Sequence, residues 1–66
     1  MEIKINGKTK IVEDNQTVAD IINNLKLNVD RIVIEYNGEV LDKKNYDSIV
    51  LKDGDVLELI QFVGGG

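Results

Sequence analysis

Cysteine and histidine are both missing from these 66 residues, and aromatic side chains number only three, Tyr36, Tyr46 and Phe62. Without cysteine there is no disulfide framework, the usual staple of a tiny secreted protein. Without either residue there is no zinc site of the kind that holds other small domains together. The same absences remove the cysteine nucleophile and the histidine general base. No apolar run approaches the length needed to cross a bilayer. The opening Met1-Glu2-Ile3-Lys4-Ile5-Asn6-Gly7 has no apolar signal-peptide core. A cytoplasmic, soluble protein without membrane association is expected. Positive charge is also scarce: eight Lys and Arg face twelve Asp and Glu, for a net charge of −4. Lys4, Lys8 and Lys10 are offset by carboxylates spread along the chain, so the basic stripe of a nucleic-acid binder is absent. An acidic surface favours encounter with a basic partner, and it also simply keeps a protein soluble. There is no Gly-rich Walker loop, so no phosphate cradle is expected.

The chain has the makings of one domain. At this size roughly 60% of the unfolded chain's surface can be buried, and a 42% apolar content rich in Ile, Val and Leu must supply the whole core. Met1, Ile3 and Ile5 alternate with polar residues, the period of a half-buried strand. Asn6-Gly7 is a hairpin signal, because both residues tolerate positive φ. Lys8–Val12 then returns as a second strand, with Thr9 and Ile11 on one face. Thr17-Val18-Ala19-Asp20 offers a helix start of capping-box type, although Asp is shorter than the preferred Glu. Val18, Ile21, Ile22 and Leu25 form one apolar stripe at helical spacing, and the helix should fade near Lys26 to Asn28. Residues 31–37 read as a β-branched strand, Asn37-Gly38 as a second hairpin turn, and residues 39–41 as a short return. Residues 42–48 form an irregular connection with room for one 3₁₀ turn, and Ile49 and Leu51 should plug the core. Asp53-Gly54-Asp55 reads as a tight turn. It lacks the spacing and closing Glu of a calcium loop, and no metal site is expected. Val56–Val63 makes the last and longest strand.

Carboxylates mark the outside of the sheet, because an unpaired buried charge is costly. If Glu58 faces out, so do Val56, Ile60 and Phe62, while Leu57 and Leu59 face in. By the same test Glu35 and Val33 face out, and Ile32 and Ile34 face in. Should these two strands be neighbours, Val33, Ile60 and Phe62 make an exposed apolar cluster beside two carboxylates, the composition of a docking surface. Scattered apolar residues on a small sheet are the plainer reading of the same pattern.

The chain ends in Gly64-Gly65-Gly66. Gly-rich ends are flexible spacers by default. They can also enter a slot too narrow for any side chain and deliver the α-carboxyl of Gly66 to another protein's active site. Glu39, Asp42 and Asp47 are close in sequence but give no reason to share a proton, so an enzyme reading is weak.

The strand–helix order, the turn Asp53-Gly54-Asp55-Val56, the helix start Gln16-Thr17-Val18-Ala19-Asp20 and the ending Phe62-Val63-Gly64-Gly65-Gly66 together resemble the sulfur-carrier proteins of the ubiquitin-like β-grasp family. The ThiS family of thiamine thiazole biosynthesis is the nearest match. The resemblance covers the whole chain, and its three terminal glycines place the family's glycine pair at Gly65-Gly66. It implies an α+β fold, with a mixed four- to five-stranded sheet and one helix packed on one face. It implies a β-grasp domain over residues 1–63 and a flexible glycine tail over 64–66. It further implies that the protein is not itself an enzyme. An E1-like adenylating enzyme (ThiF-like) would use ATP and Mg²⁺ to adenylate Gly66. A persulfide donor such as a cysteine desulfurase would supply sulfur, and a thiazole synthase (ThiG-like) would take it from the resulting thiocarboxylate. Gly64 and Gly65 would lie in the partner's channel, with Val33, Glu58, Ile60 and Phe62 as the docking surface. A molybdopterin-type sulfur carrier and a ubiquitin-like modifier or interaction module share the same fold and remain open on the sequence.

Overall fold

The computed structural model describes residues 1–63. Strands β1 (Glu2–Ile5) and β2 (Lys8–Ile11) form the opening hairpin, followed by helix α1 (Val18–Asn24). Strands β3 (Ile32–Tyr36) and β4 (Glu39–Val40) form the second hairpin, and β5 (Val56–Gln61) is the last strand. Two 3₁₀ turns, Val29–Arg31 and Lys43–Asn45, complete the elements. The five strands make one mixed sheet in the order β2-β1-β5-β3-β4. β5 therefore occupies the centre, parallel to β1 and antiparallel to β3. The α+β arrangement expected from the sequence is the one observed.

Both Asn-Gly turns do what their composition dictates. Asn6 and Gly7 have φ of 51° and 81°, and Asn37 and Gly38 have φ of 49° and 89°, as a type I′ turn requires. The asparagines have a second task that the turn signal does not reveal. Asn6 donates its backbone N–H to the Leu57 carbonyl at 2.9 Å, and its Oδ1 accepts from the Leu59 N–H at 2.7 Å. Asn37 treats Val56 the same way, with N–H to carbonyl at 2.8 Å and Oδ1 accepting from the Val56 N–H at 2.9 Å. Each hairpin turn thus grips one side of the central strand.

The capping box on α1 is complete. Thr17 Oγ1 accepts from the Asp20 N–H at 3.1 Å, and Asp20 Oδ2 accepts from the Thr17 N–H at 2.9 Å. The N–H groups of Val18 and Ala19 donate to the carbonyls of Ile49 and Tyr46, so the first orphan donors of the helix are satisfied. This docking places Leu51 and Tyr46 in the core at 3% and 5% exposure, with Ile49 half-buried against it. Tyr46 was not expected there, since it sits in the polar stretch 42–48. Val18, Ile21 and Ile22 are buried with Ile3, Ile5, Ile32, Ile34 and Leu57.

The helix ends earlier than its apolar stripe suggests. Lys26 has φ of 57°, the Lys26 N–H donates to the Asn23 carbonyl, and the Leu27 N–H reaches the Ile22 carbonyl. This is a Schellman closure, and it turns Leu25 outward to 43% exposure. A lysine holds the left-handed position usually given to glycine, at a cost of roughly 1–2 kcal/mol. Lys26→Gly is expected to stabilise the fold by about 0.5–1 kcal/mol after glycine's own entropy loss. Thermal unfolding reads that out as a rise of roughly 2–8 °C.

The tight turn at Asp53-Gly54-Asp55 is present, with Gly54 at φ of 89°, and it buries Asp55, which is only 4% exposed. Its carboxylate accepts from the Lys52 N–H at 2.7 Å, the Tyr36 hydroxyl at 2.8 Å and Asn37 Nδ2 at 3.1 Å. Burial pushes its pKa up, but these donors and the Lys52 charge together hold it below the usual carboxylate value. Lys52 Nζ lies 3.3 Å from the Tyr36 hydroxyl and 5.8 Å from the ring centroid. The Tyr36 hydroxyl and the Asp55 charge hold this ammonium above its usual value. In the same turn Asp53 Oδ1 accepts from the Glu2 N–H, and the Gly54 N–H donates to the Glu2 carbonyl, both at 2.7 Å. The 53–55 turn therefore fastens both β1 and the second hairpin to the start of β5.

Candidate partner-docking face

The helix covers one face of the sheet, and the other face carries the candidate site. Register partners in a sheet share a face, and Val33 pairs with Ile60 while Glu35 pairs with Glu58. Leu57 is fully buried and Leu59 half-buried on the helix side. Ile60 and Phe62 are 46% and 55% exposed, and Val56 is 36% exposed. Val33 is half-buried between its neighbours. The structure thus brings together Val33, Glu58, Ile60 and Phe62 as the alternation implied.

The face is larger than the sequence reading made it. Val40 stands opposite Glu35 and is 68% exposed, and Ile11 on β2 is 76% exposed. Lys4 sits beside Val56 across the parallel pair. Short edge strands hide this extension, because two or four residues give too little alternation to assign a face. Glu35 and Glu58 oppose each other directly across two strands, a like-charge pair that weakens the sheet slightly. Beside an apolar cluster, such a pair suits a cationic group from a partner.

The strand order persists beyond β5 itself. The Phe62 N–H donates to the Arg31 carbonyl at 2.8 Å, so the backbone is held up to the residue before Val63, which is 89% exposed. Gly64, Gly65 and Gly66, the expected modified and channel-entering residues, lie outside the described residues. Among the described residues, no three acidic side chains gather as a metal site would need, and no helix is long and apolar enough to cross a membrane.

A mixed five-stranded sheet closed around one helix, with a bare apolar face on the strand that leads to the terminal glycines, defines a ubiquitin-like β-grasp protein. Within that class the chain belongs to the ThiS family, whose model matches residues 2–66. It is 35% identical over 65 residues to the sulfur carrier protein ThiS of Bacillus subtilis (strain 168), covering 97% of this chain and 98% of that one. The crystal structure of the thiamine biosynthesis protein ThiS from Geobacter metallireducens superposes with a TM-score of 0.86 at 35% identity, with both chains fully covered. A thiazole synthase of Paramagnetospirillum magneticum (strain ATCC 700264 / AMB-1) is 32% identical over 66 residues. There the match takes in this whole chain and 20% of the synthase. As a ThiS-family protein, the chain is a sulfur carrier of thiamine biosynthesis.

Proposed function

We propose that the sulfur travels as a thiocarboxylate on Gly66. The supporting observation is that the family match runs through residue 66 and so takes in all three terminal glycines. A carboxylate is a poor electrophile because its negative charge repels nucleophiles. Activation begins when a Gly66 carboxylate oxygen attacks the α-phosphate of ATP and diphosphate leaves. The resulting acyl-adenylate offers AMP as a leaving group. Mg²⁺ and cationic groups of an E1-like adenylating enzyme balance the phosphate charge. The terminal sulfur of a donor persulfide, supplied through a cysteine desulfurase, attacks the acyl carbon and displaces AMP to give an acyl disulfide. A second thiol then attacks the donor cysteine's sulfur, forming a disulfide with it and releasing the thiocarboxylate. Thiazole synthase then receives the sulfur. The match of this chain to one segment of a thiazole synthase supports that pairing. Among the described residues no cysteine is available to hold sulfur on a side chain, which suits a terminal carrier.

The decisive experiment incubates the protein with its adenylating enzyme, ATP and a persulfide donor. Intact-mass spectrometry is expected to show one oxygen replaced by sulfur at Gly66. An unchanged mass with active partners would sink the proposal.

The outer face would dock the activating enzyme and so aim the tail into its channel. Phe62→Ala is expected to weaken that complex by more than tenfold, because exposed aromatics at interface centres carry much of the binding energy. The same change should cost less than about 1 kcal/mol of stability, since the ring is already half in water. Calorimetric titration and thermal melting measure the two effects separately. A stability loss larger than the binding loss would assign Phe62 to the fold instead.

A further inference from the structure

The central strand has two neighbours along only part of its length. On one side, β3 and then the Arg31 carbonyl pair with β5 as far as Phe62. On the other side, β1 pairs only at Val56 and Leu57, and Asn6 extends the ladder to the Leu59 N–H through its side chain. There the first hairpin turns away. N–H and C=O groups alternate sides along a strand, so the Leu59 carbonyl and both backbone groups of Gln61 face the side that β1 has vacated. No ladder partner meets them among the described residues. An unpaired row of this kind is a template for another strand.

Beside this open stretch lies a groove of about 330 Å³ on the helix side of the sheet. Its apolar floor is Ile5, Leu25, Leu27, Ile32 and Leu59. The early, outward-turned end of α1 contributes Leu25, which the helix stripe alone would have buried. Lys8 and Lys10 line the same groove, and their register partners Ile5 and Ile3 place them on that face. Neither lysine is in an ion pair among the described residues. A chain of net charge −4 therefore presents a local pair of uncompensated cations beside free strand hydrogen-bonding groups.

We infer that an extended segment of another protein, with carboxylates and apolar side chains in alternation, adds as a strand to the open side of β5 between Leu59 and Val63. Backbone bonds to Leu59 and Gln61 supply register, apolar side chains enter the groove, and carboxylates meet Lys8 and Lys10. The site faces the opposite way from the Ile60 and Phe62 surface, so a partner using both would clasp β5 from its edge and from its outer face. The inference does not depend on sulfur chemistry.

The test pans a phage library of random capped heptapeptides against the intact chain. Enriched peptides are then titrated into ¹⁵N-labelled protein. Enrichment of alternating acidic and apolar sequences is expected, with the largest amide shifts at Leu59, Gln61, Lys8 and Lys10. The double variant Lys8→Glu, Lys10→Glu should lose at least tenfold in affinity. Gln61→Pro should lose binding altogether, because it removes the open N–H while breaking no intramolecular ladder bond. If that proline disturbs folding, the charge-reversal variant carries the comparison, and Phe62→Ala should leave peptide affinity unchanged. Failure to enrich any peptide, shifts centred on Ile60 and Phe62, or undiminished binding by the lysine double variant would each overturn the inference. So would concentration-dependent broadening of the Gln61 amide without peptide, which would mean that a second copy of the chain occupies the edge.

Discussion

Removal of Gly65 and Gly66 is expected to abolish sulfur loading completely and to leave the melting temperature unchanged. The ten core side chains among the described residues run from Ile3 to Leu57, and the last described ladder bond is made by Phe62. Nothing in that core calls for the two terminal residues. Loading as proposed, by contrast, needs a carboxylate at one defined distance from the docked domain. Three residues reach at most roughly 10 Å beyond the strand, so losing two withdraws the reacting group by most of that reach. Misplacement of a reacting atom by even 1 Å can cost about a hundredfold in rate. Gly65→Val keeps the length and asks a second question, whether the channel admits a side chain. It is expected to fold normally and to load at least a hundredfold more slowly. Loading is followed by intact mass and folding by thermal melting. A truncated chain that still accepts sulfur, or one that unfolds, would each contradict the proposed division of labour.

The second large effect belongs to Asp55. Asp55→Ala strips the acceptors from the Lys52 N–H, the Tyr36 hydroxyl and Asn37 Nδ2 at a site that is almost wholly buried. The expected loss is about 3 kcal/mol, which is a large part of the stability of a domain this small. Asp55→Asn separates charge from shape. Asn37 cannot reverse its amide to accept from the new NH₂ group, because its Oδ1 already holds the Val56 N–H. The asparagine variant should therefore be destabilised as well, by about 1–2 kcal/mol. The pH profile gives an independent reading. The folded-state pKa of Asp55 lies below its ordinary value, so its contribution is fully present above the unfolded-state pKa. It is lost as pH falls through the lowered folded value, below about pH 4. Urea melts across that range should show a shallower acid loss for Asp55→Asn than for the unmodified chain. Equal acid slopes would show that Asp55 does not titrate in this way.

Asp55 also shows why part of the structure was illegible in the sequence. Asp53-Gly54-Asp55 has the composition of a water-facing turn, and nothing local distinguishes its two acids. Only the fold brings Tyr36 and Asn37 across 18 or 19 positions to meet the second one. Tyr46 was hidden for a similar reason, since its neighbours are all polar and only the fold brings its segment against the helix start, where the Ala19 N–H donates to its carbonyl. The end of α1 was misplaced because a lysine occupies the left-handed cap, where the recognisable residue is glycine. What could be read were features with one physical meaning. Two Asn-Gly pairs gave two hairpins, Thr17 and Asp20 gave a reciprocal cap, and Glu35 and Glu58 fixed the outward faces of the two strands that carry the proposed docking surface. That surface was legible because period-two alternation over five or six residues leaves little choice of face. Its extension to Ile11 and Val40 needed the strand order.

The central placement of β5 carries a consequence for how the carrier is selected. The strand that completes the core, through Leu57, also displays Ile60 and Phe62 and leads directly to the terminus. Any molecule in which that strand has come loose forfeits its exposed apolar face at the same moment as its core. Under the proposed activation, damaged or half-folded copies would go unrecognised by an adenylating enzyme, and ATP would be consumed only on behalf of intact ones.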